Sequence, residues 1–235
     1  MSCLSKVKKE KFPEVENIAR ILSECYGNHE HNNKVNPLNE LIFILCSVQT
    51  NERLYQSTYS KLKARFPTFR QLADAAEEEI APIIAQGGLA HQKAQKLHAI
   101  LARLKTDFKR PTLSPLRKMN DDECERYLTS LPGVGKKTAR CVMMYSLGRN
   151  VFPVDSNCWR ICLRLGWVRA TRPDRSCSPQ DMDRVQAGVP PKLRFSLHVN
   201  FISHGRGCCL PSGPLCDECL IWQFCKTGSR RRERY

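Results

Sequence analysis

The stretch from Leu131 to Asp155, LPGVGKKTARCVMMYSLGRNVFPVD, constrains what this chain can fold into more than any other. Pro132, Gly133 and Gly135 break the chain into a tight turn, and a helix-forming run follows at once. Upstream, Asp121 to Thr129 has the pattern of a short helix, with Asn120 or Asp121 as its N-cap. The sequence therefore predicts two helices joined by Leu131-Pro132-Gly133, the second over Lys136–Leu147. A glycine turn at a helix N-terminus points unpaired backbone N–H groups outward, and such groups suit an anion. Gly133 and Gly135 would let the backbone come close to a phosphate, and Lys136 is a phosphate contact or a solvated charge. The turn alone could equally be a structural joint.

The rest of the chain carries the same helical period. Phe12 to Tyr26 places Val15, Ile18, Ile21 and Leu22 on one face and ends at Gly27. The segment Asn28 to Asn36 is polar and reads as a loop, with His29 and His31 solvated. Pro37 to Gln49 is apolar nearly all round, which predicts a central buried helix. Helices are further expected from Asn51 to near Phe66, over Arg70–Ala75, over Glu78–Ala85 and over Ala90–Leu104, with Gly87-Gly88 as a break. Pro111 to Pro115 reads as a loop. Ser156 to Leu165 should form a helix stopped by Gly166, and Leu193 to His204 another. Thr171 to Pro191 reads as a loop with one short helix. Almost nothing alternates with a strand's period, so the fold class is all-α, with no internal repeat.

Charge names the kind of partner. The 235 residues hold 38 Lys and Arg against 23 Asp and Glu, a net charge of +15. The runs Lys6–Lys11 and Arg230–Arg234 contribute +3 each, which leaves +9 on the body, so a polyanion fits better than an inert basic surface. No apolar run approaches the roughly eighteen residues of a membrane span, and the N-terminus lacks the apolar core of a signal peptide. An intracellular, reducing setting follows, and thirteen cysteines then need a reason other than disulfides. Cys46, Cys141 and Cys162 read as small buried apolar residues. Cys209, Cys216, Cys219 and Cys225, spaced C-x6-C-x2-C-x5-C, do not. Zinc modules offer two close pairs, whereas unequal intervals around one centre suit four thiolates on a [4Fe–4S] cube. Zinc stays as the alternative.

Lys137, one turn into the second hairpin helix, and Asp155, eighteen positions later, stand in the register of a known family. Singly, the first would be an exposed helix lysine and the second an ordinary N-cap. Together with LPGVG and the cysteine spacing, they make the chain resemble the endonuclease III family of helix-hairpin-helix DNA glycosylases. The resemblance covers about Pro37 to Cys225. It implies a two-lobed fold: a helical barrel over residues 35–149, and a cluster lobe from residues 1–34 plus 150–235, with the active site in the cleft between them. It implies a monomer acting on double-stranded DNA, with Lys137 as nucleophile and Asp155 as electrostatic stabiliser and proton acceptor. A lysine amine that attacks the sugar needs a lowered pKa, which desolvation and a neighbouring Lys136 would supply. The cluster would be structural, pinning a loop that carries Arg206 and Lys226; Cys208 is extra and unassigned.

The family also fills the gap left by a displaced base. Gln49 in SVQTN and Leu89 in QGGLAHQKA match its inserting residues, and Asn157 stands where endonuclease III commonly has His. Each has a plain structural alternative: buried polar, core leucine and helix start. The run FPVDSNCWRICLRLGWV, Phe152 to Val168, resembles plant 5-methylcytosine DNA glycosylases more than bacterial endonuclease III. The leading expectation is a bifunctional glycosylase and AP lyase for damaged pyrimidines. A 5-methylcytosine or mismatched-thymine glycosylase is the near alternative. A non-catalytic DNA-binding scaffold is the alternative of another class, and intact Lys137 and Asp155 speak against it.

Overall fold

The structure, a computed structural model, describes residues 11–29 and 32–232, the side chains of residues 230–232 excepted. The Lys6–Lys9 run, His31 and the arginines from Arg230 onward therefore lie outside the described side chains. Among the described residues twelve α-helices follow one another: α1 (Val15–Tyr26), α2 (Pro37–Ser47), α3 (Glu52–Arg65), α4 (Phe69–Asp74), α5 (Glu77–Ile84), α6 (Ala90–Phe108), α7 (Asp121–Ser130), α8 (Lys136–Leu147), α9 (Ser156–Leu165), α10 (Pro179–Gly188), α11 (Arg194–Gly207) and α12 (Lys226–Arg232). No strand occurs among the described residues, and none of their helices is long and apolar enough to cross a membrane.

The chain separates into two compact units, Asn32–Arg149 and the combination of Met1–His31 with Asn150–Tyr235. Residues 32–34 belong with the middle segment for a local reason. The Asn33 side chain and the Lys34 backbone N–H both donate to Glu40, at 2.6 Å each, and the Lys34 carbonyl accepts from the Ser146 hydroxyl.

In the middle unit α2 is the central element. Asn36 caps it by accepting from the N–H groups of Leu38 and Asn39, and Pro37 fills its first position. Every residue from Leu41 to Cys46 is buried, against α3 and α8. Helix α6 runs to Phe108, a turn past the expected Leu104, because Lys109 in the left-handed conformation closes it. Ser114–Lys118, within and just beyond the expected loop, winds into a 3-10 turn that buries Leu116.

In the other unit α1, α9 and α11 share one core. Ile18 and Leu22 of α1, Trp159, Ile161 and Leu165 of α9, and Phe201 of α11 form one buried cluster with Phe152. Apolar residues recur on α9 at helical spacing, so one face is buried and Arg160 and Arg164 are left to the other. Helix α12, which sequence did not signal, packs on α9.

Candidate active site

The hairpin is built as its residues dictate. Asn120 caps α7 in a reciprocal capping box with Glu123, and three acidic residues sit in the first turn, where the helix dipole favours them. Gly133 adopts φ +71°, which strongly favours glycine, and the space its Cβ would take holds the Lys96 stem of α6 at 2.9 Å. Gly135 differs. It is the N-cap of α8 with an extended backbone (φ −87°, ψ 170°) that any residue adopts, and a Cβ there would meet nothing within 4 Å. Its lack of a side chain therefore serves no internal purpose. It leaves the N–H groups that open α8 approachable.

Glu125 of α7 ties the two helices together. One carboxylate oxygen accepts from Nε of the buried Arg140 at 2.6 Å, and the other lies 3.3 Å from the Lys136 ammonium. Lys136 is thus ion-paired rather than a solvated charge, and its pairing offsets the cation that the sequence reading placed beside Lys137. Lys137 is half-buried in the first turn of α8. Its charge acts on Glu40, a fully buried carboxyl of α2. Burial pushes the Glu40 pKa up, opposed by the hydrogen bonds from Asn33 and Lys34 and by the charges of Lys34 and Lys137.

Gln49 and Leu89 are both exposed, and both adopt left-handed backbone, with φ 51° and 53°. That removes the readings of a buried polar and a core leucine. Neither type is comfortable in that region, and such residues gather at functional turns. Between the two turns lies Lys93, a buried lysine whose amine donates to the carbonyls of Cys46 and Gly87, at 3.0 and 2.8 Å. Burial lowers its pKa.

Asp155 is the N-cap of α9, one oxygen accepting from the Cys158 N–H at 2.7 Å and the other from Asn157 at 3.2 Å. Asn157 in turn accepts from Arg160, whose guanidinium also reaches the carbonyls of Gly205 and Cys209. Asn157 is therefore part of a helix start that orients Asp155. Lys137, Gly133, Gly135, Lys136, Gln49 and Leu89 fall in the middle unit, and Asp155, Asn157 and the cysteine segment in the other.

No disulfide joins any of the described cysteines. Cys46, Cys141 and Cys162 are buried as expected. Cys209, Cys216, Cys219 and Cys225 line one cavity, together with Cys208, His204 and apolar walls from Ile161, Leu165 and Ile221. Arg164 donates to the Cys209 sulfur at 3.1 Å, and the Gly228 N–H to the Cys225 sulfur at 3.4 Å. Burial pushes the Cys219 thiol up to about 12 and raises Cys225 too, so these thiols ionise against a cation or not at all. His204 is drawn down to about 4, by burial first and Arg160 second. Its imidazole is therefore neutral, with one nitrogen 3.1 Å from the Tyr26 hydroxyl and the other 3.8 Å from the Cys219 sulfur. His204, Cys208 and Cys219 also bring three possible ligand atoms within 4.8 Å of one another. Four cysteines lining one apolar-walled cavity, two of their sulfurs accepting N–H groups, fit a thiolate-bound metal cluster.

Glu40, Lys93, Glu125, Arg160 and His204 were not legible as site residues. Each owes its role to partners many positions away, which no local pattern reports. The buried α2 was the one available signal, since a Glu inside an apolar helix needs a partner.

Comparison with known proteins places these features. The family described as HhH-GPD superfamily base excision DNA repair protein matches residues 42–184. A putative DNA glycosylase of Arabidopsis thaliana is 36% identical over 171 residues, 73% of this chain and 57% of the relative. The chain thus spans little more than half of that relative's length. Endonuclease III of Thermotoga maritima is 28% identical over 218 residues, covering 92% of this chain and 94% of the enzyme. Among solved structures, a non-covalent endonuclease III–DNA complex superposes with a TM-score of 0.77 at 22% identity, over 94% of this chain and 97% of the other, which shows the fold.

Proposed function

This chain belongs to the HhH-GPD superfamily of base excision DNA repair proteins, and on that footing we propose that it is a DNA glycosylase with AP-lyase activity. It excises a damaged or modified pyrimidine from double-stranded DNA. The observation that carries the reading is the start of α8, where a lysine in the first turn follows a glycine whose missing side chain serves no internal contact. The turn grips a phosphate through backbone N–H groups, independent of base sequence.

Lys137 is the nucleophile. Its neutral amine forms a bond to C1′ as the glycosidic C1′–N bond breaks and the base departs with the bonding pair. Asp155 stabilises the positive charge that develops on the deoxyribose and accepts the proton the amine loses, while Asn157 and the Cys158 N–H hold its carboxylate in place. Opening of the sugar leaves a Schiff base. Loss of a C2′ proton then expels the 3′ phosphate by β-elimination and nicks the strand. Gln49 and Leu89 fill the space vacated by the base.

Cys209, Cys216, Cys219 and Cys225 would hold a [4Fe–4S] cluster. Its contribution is structural, closing the loop that Arg160 and Arg164 join to α9. The middle unit is the helical barrel, the other the cluster domain, and the protein acts as an intracellular monomer.

A 5-methylcytosine or mismatched-thymine specificity is the second reading, favoured by Asn157 and by the Phe152–Val168 stretch. A panel of duplexes, each with one modified pyrimidine, tests both. Excision and nicking of an oxidised pyrimidine supports the first, preference for 5-methylcytosine or a G/T mismatch the second, and no strand cleavage of any duplex contradicts both.

A further inference from the structure

Lys93 stands in the first turn of α6 with only 5% of its surface exposed, an unusual place for an ammonium group. Its Nζ donates to two backbone carbonyls from different segments. The first is Cys46, in the last turn of α2, where helix carbonyls lack an intrahelical partner. The second is Gly87, which ends the 3-10 turn Ala85–Gly87. Three residues past Cys46 the chain reaches Gln49, and two residues past Gly87 it reaches Leu89. Both are exposed and both are left-handed, so each turn presents a side chain on backbone that would relax if it were not held. Gly87 is tight as well: a Cβ there would approach the Thr58 hydroxyl at 3.1 Å and Lys93 Nζ at 3.6 Å.

We propose that Lys93 is a positioning residue that locks the Gln49 turn to the Leu89 turn, so that both side chains enter a duplex as one rigid pair. The inference rests on the reading of Gln49 and Leu89 as duplex-opening residues and adds what coordinates them. A single amine serves here because its several N–H donors can satisfy two carbonyls of separate segments at once. An apolar side chain of the same length would leave both carbonyls buried and unsatisfied, and the two turns would move independently.

The test uses the full chain and a duplex with 2-aminopurine beside the target base, whose fluorescence rises when the stack opens. Lys93→Met should lower the opening amplitude and slow single-turnover excision by about tenfold or more, the scale of one lost buried hydrogen bond. Nicking of a preformed abasic site in single-stranded DNA needs no displaced base and should stay within about twofold of the parent. Lys93→Arg, which keeps the donors, should restore most of the duplex rate. Adding Lys93→Met to a Gln49→Ala/Leu89→Ala double variant should slow it no further. If Lys93→Met does not fold, Lys93→Gln, whose shorter side chain does not reach both carbonyls, takes its place with the same expected pattern. Unchanged opening, or equal losses on duplex and single strand, overturns the proposal. A parent protein that neither excises nor nicks overturns the enzymatic reading itself, so the two failures are distinct.

Discussion

Replacing Glu125 by Ala probes the joint on which the hairpin depends. Arg140 has 2% of its surface exposed, and its Nε lies 2.6 Å from the Glu125 carboxylate, which also pairs with Lys136. Removing one partner of a buried pair leaves an uncompensated charge and costs about 3–5 kcal/mol. Glu125 keeps a fifth of its side chain in solvent, so some of that loss is screened and about 2–4 kcal/mol is expected. For a chain of this length each kcal/mol lowers the melting temperature by about 2–4 °C, so a fall of roughly 4–16 °C should appear in a thermal melt. The double variant Glu125→Ala/Arg140→Met removes the stranded charge along with its partner and should recover most of the loss, since apolar replacement of a whole buried pair is often neutral. A single variant that melts within about 2 °C of the parent, or a double variant less stable than the single, would refute the assignment of Glu125 as the brace between α7 and α8.

Three further outcomes follow from individual sites. Gly135→Ala should leave the melting temperature unchanged, because its backbone is ordinary and its surroundings open, yet weaken DNA binding several-fold in an anisotropy titration; Gly133→Ala, at φ +71°, should lose about 1 kcal/mol of stability as well. Asp181 is fully buried; burial alone would raise its pKa, but hydrogen bonds from Ser178, Thr171 and Arg184 hold it well below the usual carboxylate range. A depressed folded pKa contributes stability above the unfolded value of about 4 that is lost as pH falls further, so Asp181→Asn should flatten the acid limb of a denaturation series run below about pH 5. Purified protein should carry iron and acid-labile sulfide in equal amounts, and Cys219→Ser should lose both along with thermal stability; zinc in place of iron would contradict the cluster assignment.

Sequence alone located the helices whose ends are chemically marked. The ranges Lys136–Leu147 and Ser156–Leu165 are bounded by Gly135 and Asp155 at their starts and Gly148 and Gly166 at their ends, and Asp155 and Gly166 form the caps the sequence suggests. Ends without such marks drifted: α6 runs on to Phe108, and the helix Lys226–Arg232 had no apolar period to announce it. The same boundary holds at the site. Lys137, Asp155 and the four spaced cysteines stand out in the sequence as candidates because their spacing is fixed along the chain. What supports them was not. Glu40 in the field of Lys137, Glu125 across the hairpin, Lys93 between two turns and His204 beside Cys219 are tertiary neighbours, and a buried polar residue shows its purpose only when its partner is seen. Gly135 is the converse case: the sequence marks it as a turn residue, whereas its backbone would accept any side chain and a Cβ there would meet nothing within 4 Å.

The central claim is that the amine of Lys137 bonds to the sugar. Borohydride reduction in the presence of abasic duplex DNA reads that bond directly, by converting the Schiff base to a stable amine. The account predicts a protein–DNA adduct that survives denaturation for the parent chain and none for Lys137→Gln, with the adduct mapped to Lys137 by peptide mass. A parent chain that never traps, or an adduct that persists in Lys137→Gln, would contradict it.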